Sequence, residues 1–335
     1  MMPHHANVAL FIPFNGCPHR CSFCDQRSIT GKAYQPSAED VKAAVETALD
    51  SLKENSIHSE IAFFGGSFTA LDRDDMLALL EATVPYIDRF KGVRISTRPD
   101  CIDEGILSLL KSYRVTSVEL GAQSMDDAVL SANGRGHTAQ DVRNASALIK
   151  ACGMELGLQM MTGLYKSSDT ADRFTAEELI ALRPDTVRIY PTIVMRGTRL
   201  CELYEKGLYR PQTLDEALTL VSGLIERFES ENIRVIRVGL HDSESLKNDR
   251  IAGPYHPAFR ELCESRIMLK QAVSLLADAP KGEYTLCVHP RSRSKMTGNK
   301  KSNLIALRKM GYEVTIQEDS ALSQREILIL PCADF

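Results

Sequence analysis

Val8-Ala9-Leu10-Phe11-Ile12 is an unbroken apolar run, and it feeds the loop Gly16-Cys17-Pro18-His19-Arg20-Cys21-Ser22-Phe23-Cys24. The run reads as a strand, and the loop spaces its thiols C-x3-C-x2-C. Three thiolates on one tight loop can each hold one iron of a cubane cluster, which leaves the fourth iron without a protein ligand. An open coordination position is what a catalytic metal site requires and a structural one avoids. A zinc ion with His19 as its fourth ligand would use the same residues, although zinc knuckles usually come as two pairs of ligands. Reduced core cysteines are the plainest alternative, but Pro18, His19, Arg20 and Ser22 make a poor core segment. The other cysteines (Cys101, Cys152, Cys201, Cys263, Cys287 and Cys332) are scattered, and an odd total of nine argues against a disulfide framework.

Outward from the loop, β-rich runs alternate with amphipathic stretches as far as Val238. Ser37 caps a helical stretch in which Val41, Ala44, Val45, Ala48, Leu49 and Leu52 recur at helical period. Strands are expected over Ile61–Phe64, ending in Gly65-Gly66, and over Val93–Thr97, stopped by Pro99. Further strands are expected over Val115–Leu120, Met154–Met161 and Thr186–Val194. Helical patterns lie between them, and a helix over Leu214–Phe228 with a strand over Ile233–Val238 closes the region. This alternation predicts parallel strands joined by outer crossover helices, an α/β fold. No Gly-x-Gly-x-x-Gly follows the first strand, which disfavours a dinucleotide site and favours a partial (β/α)6 barrel. Residues 1–240 are expected to form this barrel. Residues 241–335 are expected to form a small α+β accessory domain, entered through a polar linker over Leu246–His256 that holds Gly253-Pro254.

The chain has 335 residues, 44% apolar and 25% charged, enough to bury a core and too apolar for a disordered chain. No stretch approaches the ~20 apolar residues of a membrane span. Met1 to Asn7 lacks the basic and apolar regions of a secretion signal, so a cytoplasmic location is expected. A net charge of −4 excludes a bulk-basic nucleic-acid binder. Between His289 and Tyr312, however, stand Arg291, Arg293, Lys295, Lys300, Lys301, Arg308 and Lys309 with no acid among them. Such a patch is either the footprint of a polyanion or a solvated helix face.

The cysteine loop, with Phe23 directly before its last cysteine, resembles the signature of radical S-adenosylmethionine (SAM) enzymes. The resemblance implies a [4Fe–4S] cluster on Cys17, Cys21 and Cys24, whose open iron binds SAM. It also implies one-electron cleavage of SAM to a 5′-deoxyadenosyl radical, with an electron donor such as flavodoxin or ferredoxin. Gly65-Gly66 matches the family's glycine pair near the cofactor's amino group, although Ser67 stands where many members have an acid. At the ends of parallel strands, where barrel enzymes place their sites, Thr97 closes one strand. Ser117, Glu119, Gly121 and Gln123 share one face of the next. Polar groups on the inner face of a buried strand are costly unless paired, and a charged ligand is one reason to keep them. The Arg135 fork suits a carboxylate, and Gln159 sits inside an apolar strand. By likeness to radical enzymes related to oxygen-independent coproporphyrinogen oxidase, Gln123, Arg135 and Gln159 fall at cofactor-contacting positions, with Phe23, Gly65, Gly66 and Thr97 beside them. Tyr190, near the end of the last barrel strand, is the candidate catalytic contact on the substrate side.

Longer strings narrow the resemblance. Thr97-Arg98-Pro99-Asp100, Leu120-Gly121-Ala122-Gln123-Ser124, Arg135-Gly136-His137-Thr138, Met160-Met161-Thr162-Gly163-Leu164 and Arg188-Ile189-Tyr190-Pro191-Thr192 resemble the catalytic subunit of Elongator, a tRNA-modifying enzyme. Thr162 and Tyr165 replace prolines expected there, the cysteine spacing is the compact one, and nothing after residue 240 resembles the acetyltransferase domain. The resemblance implies RNA, and tRNA in particular, as the substrate, with Arg291, Arg293, Lys295, Lys300 and Lys301 as its electrostatic contacts. The order strand, basic turn with Gly298, helix, strand faintly resembles a KH-type RNA-binding unit, which clamps phosphates on a Gly-x-x-Gly turn. A radical enzyme acting on a small molecule such as a tetrapyrrole is the second reading. A zinc-stabilised RNA-binding protein without catalysis is the third.

Overall fold

The computed structural model describes residues 7–12, 20–24, 35–240 and 244–331. The chain divides into two compact units. One runs to Gln212 and resumes over Phe228–Pro254; the other takes Thr213–Arg227 and continues from Tyr255.

In the first unit seven parallel strands lie side by side in chain order and curl into a half-barrel. They are β1 (Asn7–Ile12), β2 (Glu60–Gly65), β3 (Gly92–Thr97), β4 (Val115–Gln123), β5 (Glu155–Thr162), β6 (Thr186–Pro191) and β8 (Arg234–Val238). The first five crossovers carry α1 (Ala38–Leu52), α2 (Arg73–Glu81), α3 (Glu104–Ser112), α4 (Asp127–Ala132) with α5 (Ala139–Ala151), and α6 (Asp169–Ala181). Along the chain, α7 (Arg199–Glu205) and α8 (Leu214–Ser230) follow β6 and precede β8, and α8 as far as Arg227 belongs to the second unit. As the sequence leads one to expect, Ser37 caps α1, accepting from the Asp40 amide in a capping box. Thr138 and Asp141 repeat the device at α5.

Strand alternation sorts the side chains of the sheet. Ile61, Phe63, Val93, Ile95, Val118, Leu120, Leu156, Leu158, Val187 and Ile189 are all buried on the face that carries the helices. The other face is apolar at Phe11 and Phe64 but polar over much of β3 to β8, where the register stacks it in rows. Arg94 stands beside Ser117, which stands beside Glu155; Ser96 stands beside Glu119, which stands beside Gly157. Gly121, Gln159, Arg188 and Arg237 form the next row. This concave face is what positions the site.

The expected strand over Thr186–Val194 ends at Pro191, where Thr192 N donates to Thr162 O at 2.9 Å. The chain then leaves the sheet and forms β7 (Val194–Met195), which pairs antiparallel with β9 (Arg250–Ala252). The stretch read as a linker is thus structured, with α9 (Glu244–Asp249) leading into β9. Its glycine is required by a close approach rather than by looseness. Gly253 has φ +108°, and a Cβ there would lie 3.0 Å from Thr192 O.

The second unit is α+β. Its sheet runs β11 (Tyr312–Glu318), β10 (Gly282–Val288), β12 (Ile327–Pro331), with β10 parallel to β11 and antiparallel to β12. Met268, Ala272 and Leu276 of α10 (Phe259–Leu276) bury against Leu286 and Val288. The basic segment holds two short helices, α11 (Arg293–Thr297) and α12 (Ser302–Lys309). No described helix is long and apolar enough to cross a membrane.

Candidate active site

The cysteine loop is held by a residue that sequence reading passed over. Ser22 is buried; its amide donates to Asn133 O at 2.9 Å and its hydroxyl to Asn133 Oδ1 at 2.6 Å. Its own carbonyl accepts from the Leu200 amide at 2.7 Å. Asn133, at the end of α4, donates in turn to Val129 O and Tyr165 O at 2.8 and 2.9 Å. Every polar group of Ser22 is therefore spent on fixing the loop between α4 and α7. Phe23 packs on the apolar cluster of Val194, Leu200, Cys201 and Tyr209. Cys17 and His19 lie outside the described residues, so the structure speaks only to Cys21 and Cys24, which are partly exposed.

A cavity of about 130 Å³ brings together Cys21, Phe23 and Cys24 with Gly65, Gly66, Thr97, Gln123, Arg135 and Gln159, all the candidate cofactor residues within the described chain. Gly65 sits at φ +104°, and a Cβ there would meet Ile12 O at 2.5 Å; the Gly66 amide donates to the same carbonyl at 2.7 Å. Gly65→Ala is expected to lower stability by about 2 kcal/mol through strain and clash, readable as a lower urea midpoint. Thr97 acts through its hydroxyl, which meets Ser67 Oγ at 2.8 Å and Thr69 Oγ1 at 2.6 Å, and ties the glycine turn to the end of β3.

Gln123 closes β4 in a left-handed conformation, φ +66°, at an irregularity in the register with β5. A non-glycine residue at positive φ is uncommon and clusters at functional positions. Its Oε1 is buried without a hydrogen-bond partner among the described residues. Gly121 leaves the space it needs, since a Cβ there would lie 3.0 Å from Gln123 Nε2 and 3.3 Å from Arg135 Nη2. Arg135 Nη1 donates to Cys21 Sγ at 3.3 Å and Nη2 to Gly121 O at 2.5 Å. Behind it Arg98, also unassigned from sequence, holds Asp100 through Nε and Nη2 at 2.9 and 2.8 Å and donates to Arg135 O at 2.5 Å. The Arg98-Pro99-Asp100 string was the available signal, a fork and a carboxylate two residues apart.

A second cavity of about 510 Å³ shares Phe23, Cys24, Gly65, Ser96, Gln123 and Gln159 with the first, and reaches Tyr190 and Arg188. Burial pushes the Tyr190 phenol above its usual range, with Arg188 opposing, so it stays protonated at neutral pH. Fully buried Glu119 holds two residues of the larger cavity: Oε1 accepts from Gln159 Nε2 at 2.8 Å and pairs with Arg188 Nε. Arg188 lies over the Phe64 ring, 4.8 Å from its centroid. The other Glu119 oxygen faces Arg94 Nη1 at 3.8 Å, and Arg94 continues to Glu60 at 2.8 Å and Glu155 at 3.2 Å.

Two buried titratable groups of this unit shift in opposite senses. Burial, with Arg135 and Arg98 nearby, lowers His137 to about 4; burial raises Asp172 to about 6 against its bonds from Ser167 and Gly163. Below pH 6.5 the unfolded chain takes up the histidine proton that the fold refuses, so stability falls toward pH 4. Asp172 does the reverse, since the fold keeps its proton up to about pH 6 and gains stability on acidification. Asp172→Asn removes that compensation. Between pH 7 and pH 4 it is expected to lose about 2 kcal/mol more than the wild type in urea titrations at each pH.

In the second unit, Arg293 pairs with Glu318 at 3.1 Å, Lys295 with Glu264, and Arg308 Nε with Glu313 at 2.7 Å. Among the described residues, Arg291, Lys300 and Lys301 have no ion-pair partner, and the two lysines hold left-handed backbone, φ +51° and +62°.

The model of the radical SAM superfamily matches residues 11–176, and that of the radical SAM C-terminal domain matches residues 184–269. An uncharacterized protein of Methanocaldococcus jannaschii is 30% identical over 225 residues, 63% of this chain and 68% of that protein. The chain belongs to the radical SAM superfamily. It is also similar to the tRNA uridine(34) acetyltransferase of the same organism, 28% identical over 262 residues, 65% of this chain and 48% of that one. The chain thus spans about half the length of that relative. In fold it matches the archaeal Elp3 of Methanocaldococcus infernus lacking its N-terminus, with a TM-score of 0.64 at 22% identity over 81% of this chain and 64% of the other.

Radical SAM enzymes use a [4Fe–4S] cluster and SAM. The chemistry of the residues lining the cavity suits both. Cys21 and Cys24 present two soft thiol donors to it, and a guanidinium stands beside one of them. Gln123 Oε1 and Arg135 Nε, buried with no hydrogen-bond partner among the described residues, are polar atoms of the kind that a polar ligand satisfies.

Proposed function

We propose that this radical SAM enzyme cleaves SAM reductively at a [4Fe–4S] cluster held by Cys17, Cys21 and Cys24, and that its substrate is RNA, tRNA in particular. The observation that carries the reading is the meeting of Cys21 and Cys24 with the ends of four parallel strands at one small cavity that opens on a larger one. When bound and reduced by a donor such as flavodoxin or ferredoxin, the cluster supplies the electron that splits the sulfonium of SAM to a 5′-deoxyadenosyl radical. The residues do the rest. Gly65 and Gly66 bring backbone close to the amino-acid end of SAM, Thr97 fixes that turn, and Gln123 and Gln159 offer amides from adjacent strands. Phe23 shields the loop from solvent. Tyr190, a protonated phenol in the second cavity, contacts the substrate.

Two considerations support RNA. A similar protein is named for tRNA uridine(34), and Arg291, Lys300 and Lys301 of the second unit stand without ion-pair partners among the described residues, whereas Arg293 and Lys295 are engaged by acids. The radical chemistry and the RNA contacts then belong to different units, the basic segment lying in the unit that continues from Tyr255. A cytoplasmic location follows from such a substrate. Changing Lys300 and Lys301 together to Gly removes two charges while keeping a backbone that favours positive φ. It is expected to weaken tRNA retention about tenfold at moderate salt, and to flatten the dependence of log affinity on log salt by about 2. An unchanged salt slope would point instead to a small-molecule substrate in the 510 Å³ cavity.

A further inference from the structure

We propose that the Arg135 guanidinium is the charge partner of the cluster ligand Cys21 and raises the cluster's reduction potential by favouring the form with one more electron. This rests on the reading above that Cys21 ligates the cluster. Arg135 is 7% exposed, donates from Nη1 to Cys21 Sγ at 3.3 Å and from Nη2 to Gly121 O at 2.5 Å, and leaves Nε buried with no hydrogen-bond partner among the described residues. No acid among the described residues lies within ion-pair distance of it. Burying a cation away from water is costly unless an anion stands beside it.

The neighbouring guanidinium does not share this position. Arg98, 3% exposed and also within the field of Cys21, has its charge balanced by Asp100 through two parallel bonds of 2.9 and 2.8 Å. Of Arg98 and Arg135, only Arg135 lacks a carboxylate partner among the described residues, and with Cys21 ligating the cluster the group its Nη1 faces is a metal-bound sulfur. One-electron reduction by dithionite adds a single negative charge to the cluster, with no bond made or broken. A cation hydrogen-bonded to a ligating sulfur stabilises that added charge, because net charge and hydrogen bonds to sulfur set iron–sulfur potentials. The sequence pattern suggests a fork for the carboxylate of SAM. The structure instead places one arm of the fork on the thiol and the other on a strand carbonyl.

The test is a dithionite redox titration of the full chain, reconstituted anaerobically and free of SAM, followed by electron paramagnetic resonance of the reduced cluster. Arg135→Gln is expected to lower the reduced-to-oxidised ratio about tenfold at a fixed ambient potential, a shift of about 59 mV for one electron. Arg135→Lys, which keeps the charge, should fall between it and the wild type. Asp100→Asn, which unbalances Arg98, should shift the potential the other way. Shifts of opposite sign would not come from a site that is merely loosened. Wild-type potentials in all three variants, with SAM affinity lost in Arg135→Gln, would overturn the proposal and return Arg135 to the carboxylate. If Arg135→Gln takes up no iron, the other two variants decide by the same criterion. A wild-type chain that assembles no cluster would instead remove Cys21 as a ligand, and the proposed function would fall with it.

Discussion

Cys24→Ala, reconstituted with iron and sulfide without oxygen, is expected to hold well under the roughly four irons of a cubane and to release no 5′-deoxyadenosine from SAM and dithionite. Two thiolates cannot close a site that needs three, so the loss of product should be complete. The fold should not share in the loss. Cys24 is partly exposed, and the loop is held through Ser22 by Asn133 and Leu200 and through Phe23 by the cluster around Leu200. The thermal midpoint of the iron-free variant should stay close to that of the iron-free wild type, since substitutions at such positions usually change stability by less than about 0.5 kcal/mol. A variant that keeps both its iron and its product would remove Cys24 from the site.

Glu119→Ala should act in the opposite manner, on the fold before the chemistry. It would leave Arg188 and one face of Arg94 without their carboxylate on the concave side of the sheet, where both guanidiniums are largely buried. Breaking a buried pair from one side costs about 3–5 kcal/mol, because the remaining charge stays buried and unpaired. Glu119→Gln preserves the shape and one acceptor for Gln159, so it should lose less stability while still releasing Arg188. Urea denaturation of the three chains checks the order wild type, Gln, Ala. Equal midpoints would mean that Arg188 and Arg94 find other partners.

Much of this was legible from local pattern. Period-two alternation in Val115–Gln123 placed Ser117, Glu119, Gly121 and Gln123 on one face, and the register carries that face into the cavity. The apolar runs located the seven strands, because a strand buried under helices needs unbroken or alternating apolar residues. Three things were not legible. The Ser22–Asn133 bonds join residues 111 apart, and no spacing rule connects a serine in one loop with a helix end in another. The β7–β9 ribbon rests on three residues of β9 inside a polar stretch, too short for any period to show. The partner of Arg135 depended on tertiary distance, since a fork suits a carboxylate, a sulfur or a carbonyl equally well until its neighbours are known. The basic segment was half legible. Its charge was plain, but which lysines and arginines were already engaged by Glu264, Glu313 and Glu318 was visible only in the fold.

The most direct measurement is the product of the unmodified chain. Protein reconstituted anaerobically, mixed with SAM and dithionite and separated by chromatography, should be brown and should release 5′-deoxyadenosine and methionine in equal amounts. A colourless protein that retains zinc after the same treatment and leaves SAM intact would contradict the account.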